Sequence, residues 1–300
     1  MKRLPIAALI VAGPFWGTTV PLSKDALDWA GPGWLTALRF ALAAPLLGLL
    51  ARAGGSDRLR SAIRLDVVLT GAAGYGLVIL LQNAGIARTS ATHAAILIGA
   101  LPAMVAVLCV LLGLAPVRPL AGVGFAAALA GVALVAGGGG SGGDLVGDGL
   151  VLVSLVVSAL FTIVQPRLLK GGDVVAVTAV QLGGAAVAST VAAMLLEGAP
   201  SAPRGVADLG VLAALVLLGT LVPFTLFAYG QSKVAPEVAG AFMNLEPLVG
   251  VGVGVLVLGD PFGVAQAFGA SAILAGIALS TWPQPARPIG WISPRVVLSR

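Results

Sequence analysis

About two thirds of this chain lies in long apolar runs almost free of charge, and that pattern leaves few ways for it to fold. A membrane-crossing helix needs about 20 mostly apolar residues. Ten segments approach that length: 5–22, 33–51, 67–86, 91–113, 119–137, 149–166, 174–196, 209–230, 238–258 and 262–281. Of the 17 Lys and Arg and 12 Asp and Glu in the chain, only Arg39 and Glu246 fall inside them. With 58% hydrophobic and 10% charged residues, against roughly 45–50% and 25% in soluble domains, the chain cannot present enough charge to water to form a soluble globule. The pattern specifies an all-α integral membrane protein of ten transmembrane helices. Its 42 glycines suit that reading, because small residues let helices approach closely in lipid.

Several function classes drop out at this point. Cys109 is the one cysteine, so there is no intrachain disulfide and no thiolate metal cluster. No HExxH, CxxC or paired intramembrane Asp occurs, and no phosphate-binding glycine loop marks a chain driven by its own ATP hydrolysis. The run Gly138-Gly139-Gly140-Ser141-Gly142-Gly143 fits nucleophile-elbow and dinucleotide patterns, but no strand–turn–helix surrounds it. No catalytic set, metal or cofactor is expected. The net charge of +5 is not gathered in a patch that would suit nucleic acid. Lys2 and Arg3 before an apolar run resemble a signal peptide, yet the run reaches Leu22 without charge, and Pro14 follows the one small-residue site. No cleavage is expected there.

Lys and Arg set the orientation of a bundle, because they accumulate on the cytoplasmic side. With the N-terminus inside, the inner segments hold Lys2, Arg3, Arg52, Arg58, Arg60, Arg64, Arg118, Arg167, Lys170, Lys233, Arg287, Arg295 and Arg300. The outer segments hold Lys24, Arg88 and Arg204. Both termini are predicted to be cytoplasmic.

Sliding the chain along itself by 145 residues aligns Pro21 with Pro166, Gly74 with Gly219, Gly85 with Gly230, Arg88 with Lys233, Pro102 with Pro247, Pro116 with Pro261 and Gly124 with Gly269. Leu129-Ala130-Gly131 meets Leu274-Ala275-Gly276. Each half holds five spans, and an odd number makes the second half enter from the opposite side. The halves are therefore expected to form two inverted-topology five-helix repeats, which can open one central site to alternate sides. The expected organisation is a first repeat over 5–137, a Gly-rich linker over 138–148, a second repeat over 149–281 and a basic cytoplasmic tail over 282–300.

Phe15-Trp16-Gly17, Leu38-Arg39-Phe40, and Ser90-Ala91-Thr92-His93-Ala94-Ala95 leading to Leu101-Pro102 resemble the first half of the EamA family of the drug/metabolite transporter superfamily. Leu245-Glu246-Pro247, Leu258-Gly259-Asp260 and Ile273-Leu274-Ala275-Gly276 resemble its second half. The resemblance implies ten helices, two inverted repeats and a central substrate cavity. The chain departs from it where the family commonly has Gly-Glu after the fourth and ninth spans: here stand Gly113-Leu114 and Gly259-Asp260.

Within the spans, Glu246 is the sharpest signal. A lone carboxylate near mid-bilayer is costly unless paired, protonated or facing water, and it reads either as a proton-coupling or cation-binding group or as a helix–helix hydrogen-bonder. Pro102 and Pro247 interrupt spans at matching places, which points to a binding site, and leave the carbonyls of Ile98 and Met243 exposed. Asn83, Gln165 and Asn244 join Gln82 and Gln181 as in-span amides that line a cavity or bond helix to helix. Trp16, Tyr75, Phe161, Phe224 and Tyr229 are candidates for the walls of an apolar pocket. Arg39 is expected to pair structurally with an anionic group, and His93 to be an interfacial residue. The whole reads as a secondary transporter in the plasma membrane, exporting small metabolites, amino-acid-like or drug-like solutes by alternating access. Its expected partners are a small-molecule substrate, the lipid bilayer and protons, as a monomer or homodimer. The alternatives are a membrane-embedded enzyme acting on lipid or peptide, short of a converging acid, base or metal set, and a non-transporting structural subunit.

Overall fold

A computed structural model describes residues 3–114, 119–137, 144–234, 236–243, 245–260 and 262–281, and among these every regular element is a helix. The first half contains α1 (Arg3–Ala26), α2 (Pro32–Ala53), the short α3 (Ser56–Ala62), and a rod made of α4 (Leu65–Gly71), a π-helical segment π1 (Ala72–Leu77) and α5 (Val78–Ile86). The broken rod α6 (Ala91–Ile98) and α7 (Leu101–Leu111) follows, then α8 (Pro119–Gly137). The second half runs α9 (Leu145–Leu169), α10 (Val174–Leu196), the rod α11 (Val206–Val216), π2 (Leu217–Leu221) and α12 (Val222–Gln231), the broken rod α13 (Pro236–Phe242) and α14 (Leu245–Leu256), and α15 (Val264–Thr281). Seven of these rods are long and apolar enough to cross a membrane. The remaining helices, α8, α13–α14 and α15, stand where the 145-residue register puts them. Leu145 to Asp148, assigned above to the linker, are instead the first turn of α9.

The two halves repeat in their irregularities. π1 contains Gly74 and π2 contains Gly219, so the same rod widens at the same place in each half. In π2 the Thr220 hydroxyl donates to the Leu215 carbonyl five residues back, at 2.8 Å. The second shared irregularity is a break. α6 stops before Gly99 and Ala100, and α7 restarts with Pro102 in its first turn, where proline's missing N–H costs nothing. α13 stops at Phe242, and α14 restarts with Glu246 and Pro247 in its first turn. The Met243 carbonyl is not left free: it accepts the Glu246 N–H at 3.1 Å. The two breaks meet, since a Cβ on Gly99 would lie 3.2 Å from the Pro247 ring.

Contacts between the halves follow a two-fold pattern. α1 packs on α12 and α14, as α9 packs on α5 and α7; α2 pairs with α10, and α8 with α15. In the last pair, a Cβ on Gly131 would strike the Gly269 carbonyl, and one on Gly276 would strike the Gly124 carbonyl. The glycines that match in sequence thus make reciprocal main-chain contacts, the mark of an isologous interface.

One pair breaks the symmetry. Gly184 lets α10 lie directly on the main chain of α4 at Val68, and Gly71 meets the main chain at Gln181. The residue at the mate position of Gly184 is Arg39, whose guanidinium fills the space between α2 and π2.

Candidate functional site

The rods enclose a narrow cavity of about 50 Å³. Both halves build its wall. Trp16 and Thr19 come from α1, Arg39 from α2, Gly74 and Tyr75 from π1, and Leu101 from the start of α7. From the second half come Phe161 on α9, Phe224 and Phe227 on α12, Met243, and Glu246 at the start of α14.

The aromatic residues form a connected edge-to-face chain. Ring centroids lie 4.9 Å apart for Phe227 and Trp16, 5.2 Å for Trp16 and Phe224, 4.5 Å for Phe224 and Tyr75, and 4.8 Å for Tyr75 and Phe161. Each such contact adds about 0.5–1.5 kcal/mol beyond the area it buries, so the wall is stiff as well as apolar.

Two ionisable side chains, one basic and one acidic, are set into it. Arg39 is 2% exposed. Its Nε donates to Thr220 Oγ1 at 3.2 Å, Nη2 to the Gly219 carbonyl at 3.1 Å, and Nη1 more weakly to Ser23 Oγ at 3.4 Å. π2 explains the second of these bonds: a π turn shifts the i→i−4 ladder and frees a carbonyl, and Gly219 offers it to the guanidinium. All three acceptors are neutral. Among the described residues no carboxylate stands within ion-pair distance of Arg39. The structural pairing with an anionic group expected for it is therefore not present.

Glu246 is 7% exposed. It occupies the first turn of α14, where the positive end of the helix dipole favours an anion. No side-chain hydrogen bond or ion pair from a described residue reaches its carboxylate. Taking an ion out of water costs several kcal/mol, and here an acidic and a basic group are both buried on one cavity without pairing with each other.

Of the other residues singled out in the sequence, Trp16, Tyr75, Phe161 and Phe224 line the cavity. Asn83 and Gln165 do not. Asn83 Nδ2 donates to Thr36 Oγ1 at 2.9 Å, tying α5 to α2. Gln165 and Gln181 exchange amide hydrogen bonds at 2.9 and 2.7 Å, fully buried. Pro102 and Pro247 start the half-helices that carry Leu101 and Glu246 to the wall. Tyr229 is not on the lining, and Asn244 lies outside the described residues. Gln82, named among the in-span amides, does line the cavity, and Thr19, Leu101, Phe227 and Met243 line it without having been singled out for it. Their only sequence signal is repeat register, in which Leu101 is the mate of Glu246.

His93 is buried between helices. Its side chain is 2% exposed and packs against Asp148, away from the cavity.

A pocket walled by both halves and floored by paired helix breaks is a transporter's arrangement, and comparison with known proteins decides the family. The model of the EamA-like transporter family matches residues 3–137 and again 145–282. The chain belongs to the EamA-like transporter family. Membership makes it a multi-pass membrane transporter of the drug/metabolite type, working on a small molecule in a lipid setting. The two matches are the two repeats of an EamA-like chain, and their seam falls between α8 and α9. No curated protein sequence matches it. The EamA-like fold is shared with a crystal structure that superposes with a TM-score of 0.72, covering 92% of this chain and 96% of the other at 19% identity.

Proposed function

We propose that the chain is a secondary transporter that moves small zwitterionic, amino-acid-like or similarly charged drug-like solutes through the central cavity by alternating access. Ten helices cross the plasma membrane in two inverted repeats, with both termini in the cytoplasm. The observation that carries this reading is the pair Arg39 and Glu246: buried, opposite in sign, unneutralised, and sharing one aromatic-walled cavity. A solute bearing a carboxylate and an ammonium would supply both counter-charges at once. The aromatic chain would hold its apolar part. Glu246, at the seam of the broken rod, is also the group placed to exchange a proton with the substrate during the cycle. The unequal α10–α4 and α2–π2 contacts supply the asymmetry that alternating access requires of two related halves.

A thermal-shift screen in detergent tests the reading, because a ligand that binds only the folded form at a hundred times its Kd stabilises it by about 2.7 kcal/mol. Zwitterions with an apolar group should stabilise the wild type, and Arg39→Met and Glu246→Gln should each remove the effect. Equal stabilisation by uncharged analogues would refute the charge-matching part of the proposal.

A further inference from the structure

We infer that the basin between the start of α1 and the ends of α9 and α12 is a docking vestibule for carboxylate-bearing solutes, in which Lys170 and Lys233 hold the anion and Gln231 accepts a hydrogen bond from the same solute. The basin encloses about 850 Å³, against about 50 Å³ in the central cavity. That volume suits a small molecule, whose sites commonly span about 300–1,000 Å³. Ile6 on α1, Pro166 and Leu169 on α9 and Gln231 on α12 wall it. α9 ends at Leu169, and Gly171, at φ 79°, turns the chain toward α10, a conformation that suits glycine. The turn keeps Lys170 on the lining, and Lys233 joins it from just beyond the end of α12.

The charge on this lining has one sign. Among the described residues no acidic side chain lines the basin, and neither lysine has an ion-pair partner. Asp173, three residues after Lys170, is already engaged: Oδ1 accepts the Ala176 N–H at 2.9 Å, and Oδ2 accepts from Arg58 at 3.3 Å. A concave site lined by one sign of charge concentrates ions of the other. Lysines at the end of a bundle also serve topology, but topology requires neither a cavity nor a buried amide. Gln231 supplies that amide. It is 1% exposed, its Oε1 has no hydrogen-bond partner, and its Nε2 reaches the Thr162 carbonyl only at 3.4 Å. A buried acceptor left unpaired is costly, and a solute N–H or O–H in the basin would satisfy it.

A thin septum parts the basin from the central cavity. On α12, Phe227 lines the cavity and Gln231, four residues on, lines the basin; on α9, Thr162 and Pro166 repeat that spacing. Four residues rise about 6 Å along a helix, so a single layer of side chains stands between the two spaces, and Gln231 belongs to it. The opposite end of α1 is built differently. The repeat mates of Leu169, Gln231 and Val234 are Lys24, Ile86 and Thr89, and Lys24 Nζ donates to the carbonyls of Ile86 and Thr89 at 3.0 and 2.7 Å. That bond ties α1 to the end of α5. Leu169 has no group to tie α9 to α12, and the basin opens there instead. The mates of Lys170 and Lys233 are Asp25 and Arg88, so the two cations face one basin at one end alone. The vestibule's place in a transport cycle rests on the alternating-access reading; its binding of an anion does not.

Cys109 is buried and is the one cysteine of the chain, so full-length protein with Cys109→Ala and Ser232→Cys, in a neutral detergent, carries a single thiol on the basin lining. Gly172→Cys, also on the lining, serves where Ser232→Cys does not fold. Labelling by an anionic sulfonate methanethiosulfonate is compared with labelling by its cationic trimethylammonium counterpart, each relative to a free thiol. At low salt the anionic reagent should be favoured about tenfold or more. The preference should fall to about one in roughly 1 M salt, and also on adding Lys170→Gln and Lys233→Gln. N-acetylphenylalanine, a carboxylate with one amide N–H and no ammonium, should slow the labelling, and Gln231→Leu should weaken that protection by about fivefold. Both effects should survive Arg39→Met, which removes the cation of the central cavity, so this test can fail while the central-site reading stands, and the reverse. No anionic preference, a preference unmoved by the two lysine substitutions, protection indifferent to Gln231→Leu, or protection lost in Arg39→Met overturns the proposal.

Discussion

The Glu197 carboxylate accepts the Gly33 backbone N–H at 2.6 Å, and that of Trp34 at 3.1 Å. α2 begins after Gly31, which has no side chain to cap it, so the cap arrives from the end of α10 in the other half. The Trp34 indole closes the loop on the Gly198 carbonyl at 2.9 Å. Glu197→Ala should cost about 1 kcal/mol, a typical cap value, and lower the thermal midpoint in detergent without altering ligand affinity. An unchanged midpoint would mean that water caps α2 equally well.

Gly74 bears directly on the cavity wall. A Cβ there would run into the Phe161 ring, so Gly74→Ala should destabilise the protein by about 1–3 kcal/mol through overpacking. The partner is specific. Adding Phe161→Ala should recover much of that loss, and a double-mutant cycle monitored by thermal unfolding would read the coupling. Strictly additive effects would place the strain elsewhere.

Arg39 gives the sharpest separation of stability from function. A buried ion without a counter-charge bears a desolvation cost of several kcal/mol that an apolar side chain of similar size does not. Arg39→Met should therefore unfold at the wild-type temperature or higher, yet lose transport of any solute that the thermal-shift screen identifies. A fall of several degrees would make the guanidinium a strut between α2 and π2.

How far these features could be read from sequence differs case by case. Helix positions were legible because charge and apolar length are written residue by residue. The Gly74 and Gly219 register was visible, but its π geometry was not, since hydropathy carries no information on which carbonyl a given N–H reaches. Arg39 was seen as an in-span charge. Its neutral partners, the Gly219 carbonyl and the Thr220 hydroxyl, could not be read because they lie 180 residues away and one of them belongs to the backbone. Pro102 and Pro247 were read as interruptions. Glu246 beside Pro247 could have been taken further, as a helix start, since acidic residues and proline both favour the first turn. Asp148 was missed because the apolar run begins one residue later, which put a buried carboxylate into the linker.

Glu246→Gln keeps size and hydrogen-bonding capacity while removing the titratable proton. In proteoliposomes it should still bind ligand but lose accumulation driven by a pH gradient. Wild-type pH dependence in this variant would leave the residue a hydrogen-bonder. Asp148→Asn, at a separate place, should not abolish that accumulation.

Topology reporters decide the orientation. Fusions at Arg300 should report cytoplasm, and fusions at Ser141 the opposite side. A C-terminus outside would remove the inverted-repeat reading along with the helix count.

Arg39 has glycine at its mate position, Gly184, and Glu246 has leucine, Leu101. A homodimer of the first half alone would carry two arginines and no carboxylate at these places; a homodimer of the second would carry two glutamates and no arginine. The polarity of the cavity thus arises from the divergence of the two halves. Only unlike halves let a two-fold scaffold tell one end of its cargo from the other.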